Sequence, residues 1–203
     1  MSGDEMTHVP DPSQAPIRTV AIIGAGLAGR SFALACTAAG FHVILEDVMP
    51  ANLRRAQEEF ADLTTPRPTS PTNVGMNQPG SLATALTVED AVRSADLAVD
   101  FVPDELESKL EIFSMVDRMA PPRTILLTPT DALSIADLAS CTYRPDRCFA
   151  IRNGLSPGAP ALLVHPPHIA SAALSAVSEF LRALGCAVQI EQDTAAPMLV
   201  KNL

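Results

Sequence analysis

The stretch RTVAIIGAGLAG, residues 18–29, decides how this 203-residue chain is read. A short β-branched run stops at glycine, as a buried strand does. Gly24-Ala25-Gly26-Leu27-Ala28-Gly29 then spells G-x-G-x-x-G, and the Ala-rich residues 27–39 behind it favour a helix. Gly40 stands where a helix C-cap is expected. The motif alone is a weak signal, but between a strand and a helix each glycine has its own task. Gly24 permits the tight turn, Gly26 lets backbone approach a pyrophosphate, and Gly29 lets the helix pack closely on the strand. The free amides of Leu27 and Ala28 and the positive end of the helix dipole then face the phosphates.

Working outward, residues 41–47 (FHVILED) read as a second strand that ends in Glu46-Asp47. Asp47 lies 18 residues after Gly29, a spacing that lets an acid accept hydrogen bonds from the adenosine ribose. An acid there repels a 2′-phosphate, so the expected cofactor is NAD rather than NADP. Arg54 and Arg55 come too late to reverse this and are expected on a helix surface. Residues 52–63 favour a helix, and strand, helix, strand, helix in series predicts a parallel sheet. Residues 64–82 hold Pro66, Pro68, Pro71, Pro79, Gly75 and Gly80, and read as an exposed loop. The alternation then resumes. Strands are expected at 82–87, 96–102, 124–128, 147–152, 161–164 and 187–190, and helices at 88–94, 105–119, 134–139 and 169–184. The fold class is α/β, a doubly wound, mainly parallel Rossmann sheet with core strand order 3-2-1-4-5-6. Residues 17–194 form the dinucleotide-binding domain, between an expected disordered leader over 1–16 and a tail over 195–203.

Composition narrows the function classes. At 47% hydrophobic and 18% charged, the chain can build a core. Its formal net charge is −9, and residues 89–117 carry nine acids against Arg93 and Lys109. Such a surface repels phosphate backbones and anionic lipid, so neither nucleic acid nor membrane is expected as a partner. No apolar run reaches the roughly 18 residues of a membrane span, and no basic-then-apolar start marks a signal peptide. Cys36, Cys141, Cys148 and Cys186 show no CxxC pair and no partnering His spacing, so no metal site is expected. Cys36 and Cys186 read as small core residues. The default setting is reduced and cytoplasmic.

Several separated segments together resemble the NAD-binding domain of the 3-hydroxyacyl-CoA dehydrogenases. VAIIGAGLAGR (20–30) resembles that family's fingerprint. ADLAVDFVPDELESKLEIF (95–113) resembles its fourth strand and following helix, APPRTILLTPTDALSIADLA (120–139) the next strand and turn, and RPDRCFAIRNGLSP (144–157) the strand that delivers its catalytic histidine. APMLVKNL (196–203) resembles the junction into the family's C-terminal helical domain, which the resemblance implies to be absent here. The resemblance implies NAD as cofactor and hydride transfer on a hydroxyacyl-CoA of fatty acid metabolism. It places Asp104 beside the nicotinamide ribose, makes Lys109 the cofactor-contacting lysine, and adds Val102 and Pro103 to the binding strand's end. Met198, Leu199, Val200 and Leu203 of the apolar tail need a partner surface, so a homodimer is expected.

The positions of the family's chemistry are changed. Arg152 takes the place of its histidine base, and Asp131 that of its serine. The glutamate that orients the histidine falls at Val164 or His165, and the asparagine at Leu155 or Ser156. An arginine stays protonated and cannot act as a base near neutral pH. Two further readings attach to these residues: His165 as a replacement base, and Asp131 paired with Arg152. Three functions stay open at this point: a dehydrogenase with rearranged residues or a partner subunit, a non-catalytic dinucleotide-binding sensor or partner-binding scaffold, and a domain that has lost its cofactor. The intact glycines, Asp47 and Lys109 speak against the last.

Overall fold

In the computed structural model, residues 16–64, 80–153 and 155–195 are described. The expected leader over 1–16, most of the Pro-rich loop and most of the tail over 195–203 lie outside them. The chain alternates β1 (Thr19–Ile23), α1 (Leu27–Ala38), β2 (His42–Glu46), α2 (Pro50–Thr64), β3 (Ser81–Ala85), α3 (Val88–Val92), β4 (Leu97–Asp100), α4 (Leu106–Met119), β5 (Ile125–Pro129), α5 (Ile135–Ala139), β6 (Cys148–Arg152), β7 (Ala161–His165), α6 (Ser171–Ala183) and β8 (Val188–Gln192). One eight-stranded sheet runs β3-β2-β1-β4-β5-β6-β7-β8. The core order matches the sequence expectation, and every pair is parallel except β6 with β7.

Each face of the sheet carries its own core. Val20, Ile22, Val43 and Leu45 pack under Phe32 of α1, Leu53 of α2 and Phe180 of α6. Ala21, Ile23, Ala98 and Leu126 face Val92 of α3, Phe113 of α4 and Leu138 of α5. Strand alternation sends neighbouring residues to opposite faces, and with both faces covered the central strands are apolar throughout, as parallel strands are. Cys36 and Cys186 sit in the first core as expected. Burial pushes the Cys36 and Cys148 thiols up, Cys148 to about 12, so neither offers a thiolate near neutral pH.

Most element ends differ from expectation by a residue or two, and two of the differences have a visible cause or consequence. The third strand was expected to reach Thr87, but it ends at Ala85, and Thr87 instead caps α3 by accepting from the Asp90 amide. Thr64, expected in the loop, closes α2. Gly80 then enters β3 where its amide donates to the Thr37 carbonyl, and a Cβ there would stand 1.9 Å from the Phe41 carbonyl oxygen.

Candidate functional site

The glycine turn is built as its spacing predicts. Gly24 has φ +98°, a conformation side chains resist, and its amide donates to the Glu46 carbonyl. A Cβ on Gly29 would stand 1.9 Å from the Gly24 carbonyl oxygen, so this glycine sets how closely α1 meets β1. Gly26 is different: a Cβ there would meet nothing within 4 Å. Neither packing nor its φ of −63° requires glycine at this position. Its missing side chain opens space in front of the α1 N-terminus, where first-turn amides have no partner within the helix. Leu27 and Ala28 are exposed beside it.

A cavity of about 510 Å³ opens at this point, at the carboxyl ends of β1, β2 and β4. Gly24, Gly26, Asp47, Val102 and Pro103 line it. The open position at Gly26 fits a pyrophosphate, and the acid at Asp47 fits a ribose. Asp47 is also held by the protein: Oδ2 accepts from the Ala25 amide at 2.8 Å and from Asn52 Nδ2 at 3.1 Å, and Oδ1 accepts from the Met49 amide at 2.7 Å. Arg54 and Arg55 are exposed, as expected.

Asp104 and Lys109 stand apart from this cavity. Asp104 is exposed, and its Oδ2 accepts from the Asp131 amide at 3.2 Å. Lys109 is 1% exposed and donates to Asp100 Oδ1 at 2.8 Å and Thr128 Oγ1 at 2.9 Å. Asp100 Oδ2 has no partner. Burial pushes the Asp100 carboxyl up, and Lys109 and Thr128 pull it back only in part.

The expected pairing of Asp131 with Arg152 is not formed. The Arg152 guanidinium donates to the Thr130 carbonyl at 2.9 Å and the Leu133 carbonyl at 2.7 Å, while Asp131 Oδ1 accepts from the Asn153 amide. Main-chain acceptors lie nearer than the carboxylate, because the β5–α5 turn wraps around the end of β6. His165 is displaced as well. β7 runs antiparallel to β6 with Leu162 opposite Arg152 and Val164 opposite Ala150. His165 therefore falls at the level of Phe149, three residues back from Arg152, or about 10 Å at strand rise. Alternation also turns it to the other face. Val164, buried and apolar, is the residue on Arg152's face.

Sequence reasoning assigned no role to several buried charges. Arg30, directly after Gly29, donates to the Ala25 carbonyl and pairs with Glu59 at 3.2 Å. Arg144 pairs with Asp117 at 2.8 Å. Glu46 lines the cavity beside Asp47, and burial, reinforced by the Asp47 charge, pushes its carboxyl up. A charge closing an otherwise apolar strand was the available signal for Glu46 and for Asp100.

The family model described as 3-hydroxyacyl-CoA dehydrogenase, NAD binding domain, matches residues 19–165. The chain belongs to this family. It is similar to the mitochondrial hydroxyacyl-coenzyme A dehydrogenase of Rattus norvegicus, at 30% identity over 64% of this chain and 44% of that one. Among solved structures, a 3-hydroxyacyl-CoA dehydrogenase from Archaeoglobus fulgidus superposes with TM-score 0.69 at 25% identity, over 88% of this chain and 57% of that one. The 3-hydroxybutyryl-CoA dehydrogenase of Escherichia coli K12 shares the fold, with TM-score 0.74 at 22% identity over 89% of this chain and 39% of that one. The chain spans about half the length of the curated relatives it matches. Membership makes it an NAD-binding domain of the 3-hydroxyacyl-CoA dehydrogenase type. No helix among the described residues is long and apolar enough to cross a membrane, and no group of three or more His, Cys, Asp or Glu among them could hold a metal ion.

Proposed function

We propose that this chain holds NAD(H) along Gly24, Gly26, Asp47, Val102 and Pro103, and by itself turns over 3-hydroxyacyl-CoA slowly or not at all. The observation that carries the second half is the state of Arg152. At the place of the family's base stands a permanently charged group whose hydrogens go to Thr130 and Leu133 carbonyls. β7 carries no acid on the face of Arg152, and Asp193, whose charge acts on Arg152, is held by the Ser134 hydroxyl and the Ala136 and Ala195 amides. A positioned base is worth about 10²–10⁴ in rate, so its loss leaves binding without comparable chemistry. NAD supplies hydride acceptance at the nicotinamide; the residues here hold and orient it. The resemblance puts Asp104 toward the nicotinamide ribose, and Lys109, bonded to Asp100 and Thr128, ties the ends of β4 and β5 together.

A second reading, a non-catalytic sensor or partner-binding scaffold, is favoured by Leu27, Val48, Met49 and Leu86. These side chains are 56–78% exposed at the turns that follow β1, β2 and β3. A hydroxyacyl-CoA of fatty acid metabolism goes with the main reading on the strength of the resemblance, and a homodimer and a cytoplasmic setting are proposed beside it. The compartment also draws on four free cysteines.

Titration of NADH, followed by its fluorescence, and NADH formation from NAD with 3-hydroxyacyl-CoAs test the proposal. Binding without measurable turnover is expected. Robust turnover by the unmodified chain, abolished in His165→Ala, overturns it. Sedimentation at high micromolar concentration decides the dimer.

A further inference from the structure

Glu46 is a buried carboxyl in the cavity wall that neither the glycine turn nor the ribose acid accounts for. It closes β2, and alternation puts it on the face of Ile44, toward α3 and α4. It is 4% exposed. Among the described residues its carboxyl has no hydrogen-bond or ion-pair partner, and its oxygens are not among the fully enclosed unpartnered atoms. What remains open to them is the cavity. There Glu46 lies among Val88 of α3 and Ile112 and Met115 of α4. Val88, Ile112 and Met115 make this an apolar slot, with the buried Glu46 carboxyl in one wall and Ser108 and Glu111 of α4 also lining the cavity. Such a slot suits a flat heteroaromatic ring that offers a hydrogen-bond donor at one edge. Leaving a buried carboxyl unpaired is costly, so a ligand that pairs it gains affinity.

The position of the slot names the ring. Gly26 faces the pyrophosphate and Asp47 the adenosine ribose, so the base joined to that ribose enters the slot next to them. We propose that Glu46 is a specificity-determining residue whose carboxylate accepts a hydrogen bond from the exocyclic amine of adenine in bound NAD(H), selecting an aminopurine over an oxopurine. The proposal rests on the NAD-binding reading. That bond favours the charged carboxylate, against the burial and the neighbouring Asp47 charge that push the Glu46 carboxyl up. Hypoxanthine presents a carbonyl oxygen in place of the amine, and two acceptors then face one another.

The test compares NADH with its hypoxanthine analogue on the parent chain, Glu46→Gln and Glu46→Leu, by nicotinamide fluorescence. The parent should prefer NADH by about tenfold, the worth of one charge-assisted hydrogen bond. Glutamine can pair with either base, so Glu46→Gln should keep NADH binding while the preference falls to near unity. Glu46→Leu should lose the preference and bind NADH more weakly. If the leucine variant fails to fold, the isosteric glutamine variant carries the result. No preference in the parent, or an unchanged preference in Glu46→Gln, overturns the role of Glu46 and leaves NAD binding standing. Failure of the parent to bind either dinucleotide overturns the NAD reading itself.

Discussion

Asp47 Oδ2 accepts the amide hydrogen of Ala25 across 2.8 Å, joining the end of β2 to the middle of the glycine turn. The same carboxylate takes the Met49 amide and the Asn52 side chain. Asp47 therefore shapes the turn as well as offering acceptors to a ribose. Asp47→Ala should lower both thermal stability and NADH affinity, the first by about 1–3 kcal/mol for a buried amide left without an acceptor. A thermal melt beside an NADH titration checks it. Unchanged affinity would separate the carboxylate from the cofactor.

The glycines should divide by phenotype. Gly26→Val should melt like the parent, because its Cβ position is open, yet fail to bind NADH. Gly29→Ala should be destabilised by about 1–3 kcal/mol or more, since its Cβ would press on the Gly24 carbonyl. A destabilised Gly26→Val that still bound NADH would reverse the assignment.

Lys109→Met leaves Asp100 buried with neither oxygen facing a charge, at a cost of about 3–5 kcal/mol. Burial already holds the folded-state value of Asp100 above its unfolded one. Its favourable contribution is full below the ordinary carboxylate value of about 3.9 and is lost as pH rises through the folded value. Removing Lys109 raises that folded value further. The penalty of Lys109→Met should therefore be greatest above neutral pH and shrink in acid, and adding Asp100→Asn should recover part of it. Urea unfolding at about pH 8 and about pH 5 reads the difference.

Arg152→His should restore little NADH formation from 3-hydroxyacyl-CoA, because Val164 offers no carboxylate to orient the ring. Arg152→Ala should destabilise the β5–α5 turn by about 1–3 kcal/mol through the freed Thr130 and Leu133 carbonyls. Substantial rescue by histidine alone would show that the family's chemistry needs only its base here.

Strand and helix order, the glycine turn and Asp47 were legible because each rests on local chemistry: β-branched runs, missing Cβ atoms, and an acid at a set distance along the chain. The reach of Arg152 was not. Its acceptors are main-chain carbonyls, which every residue carries and no side-chain pattern marks. His165 misled because a place in sequence does not tell strand direction, and the reversal at β7 moved it down the sheet and to the other face. The Lys109–Asp100 pair and the slot around Glu46 needed the packing of α4 against β4 and β2 before their partners could be seen.

The carbonyls bound by Arg152 also bear on the history open to this chain. A histidine at 152 brings a titratable ring but removes two guanidinium donors to main-chain carbonyls in the same exchange. Its gain waits on a carboxylate at 164 and a hydroxyl at 131, while the loss of stability comes at once. A change toward such a site therefore loses stability before it gains chemistry. Hydrogen bonds to main-chain carbonyls, which no side-chain pattern marks, thus tie the residue at 152 to the stability of the β5–α5 turn.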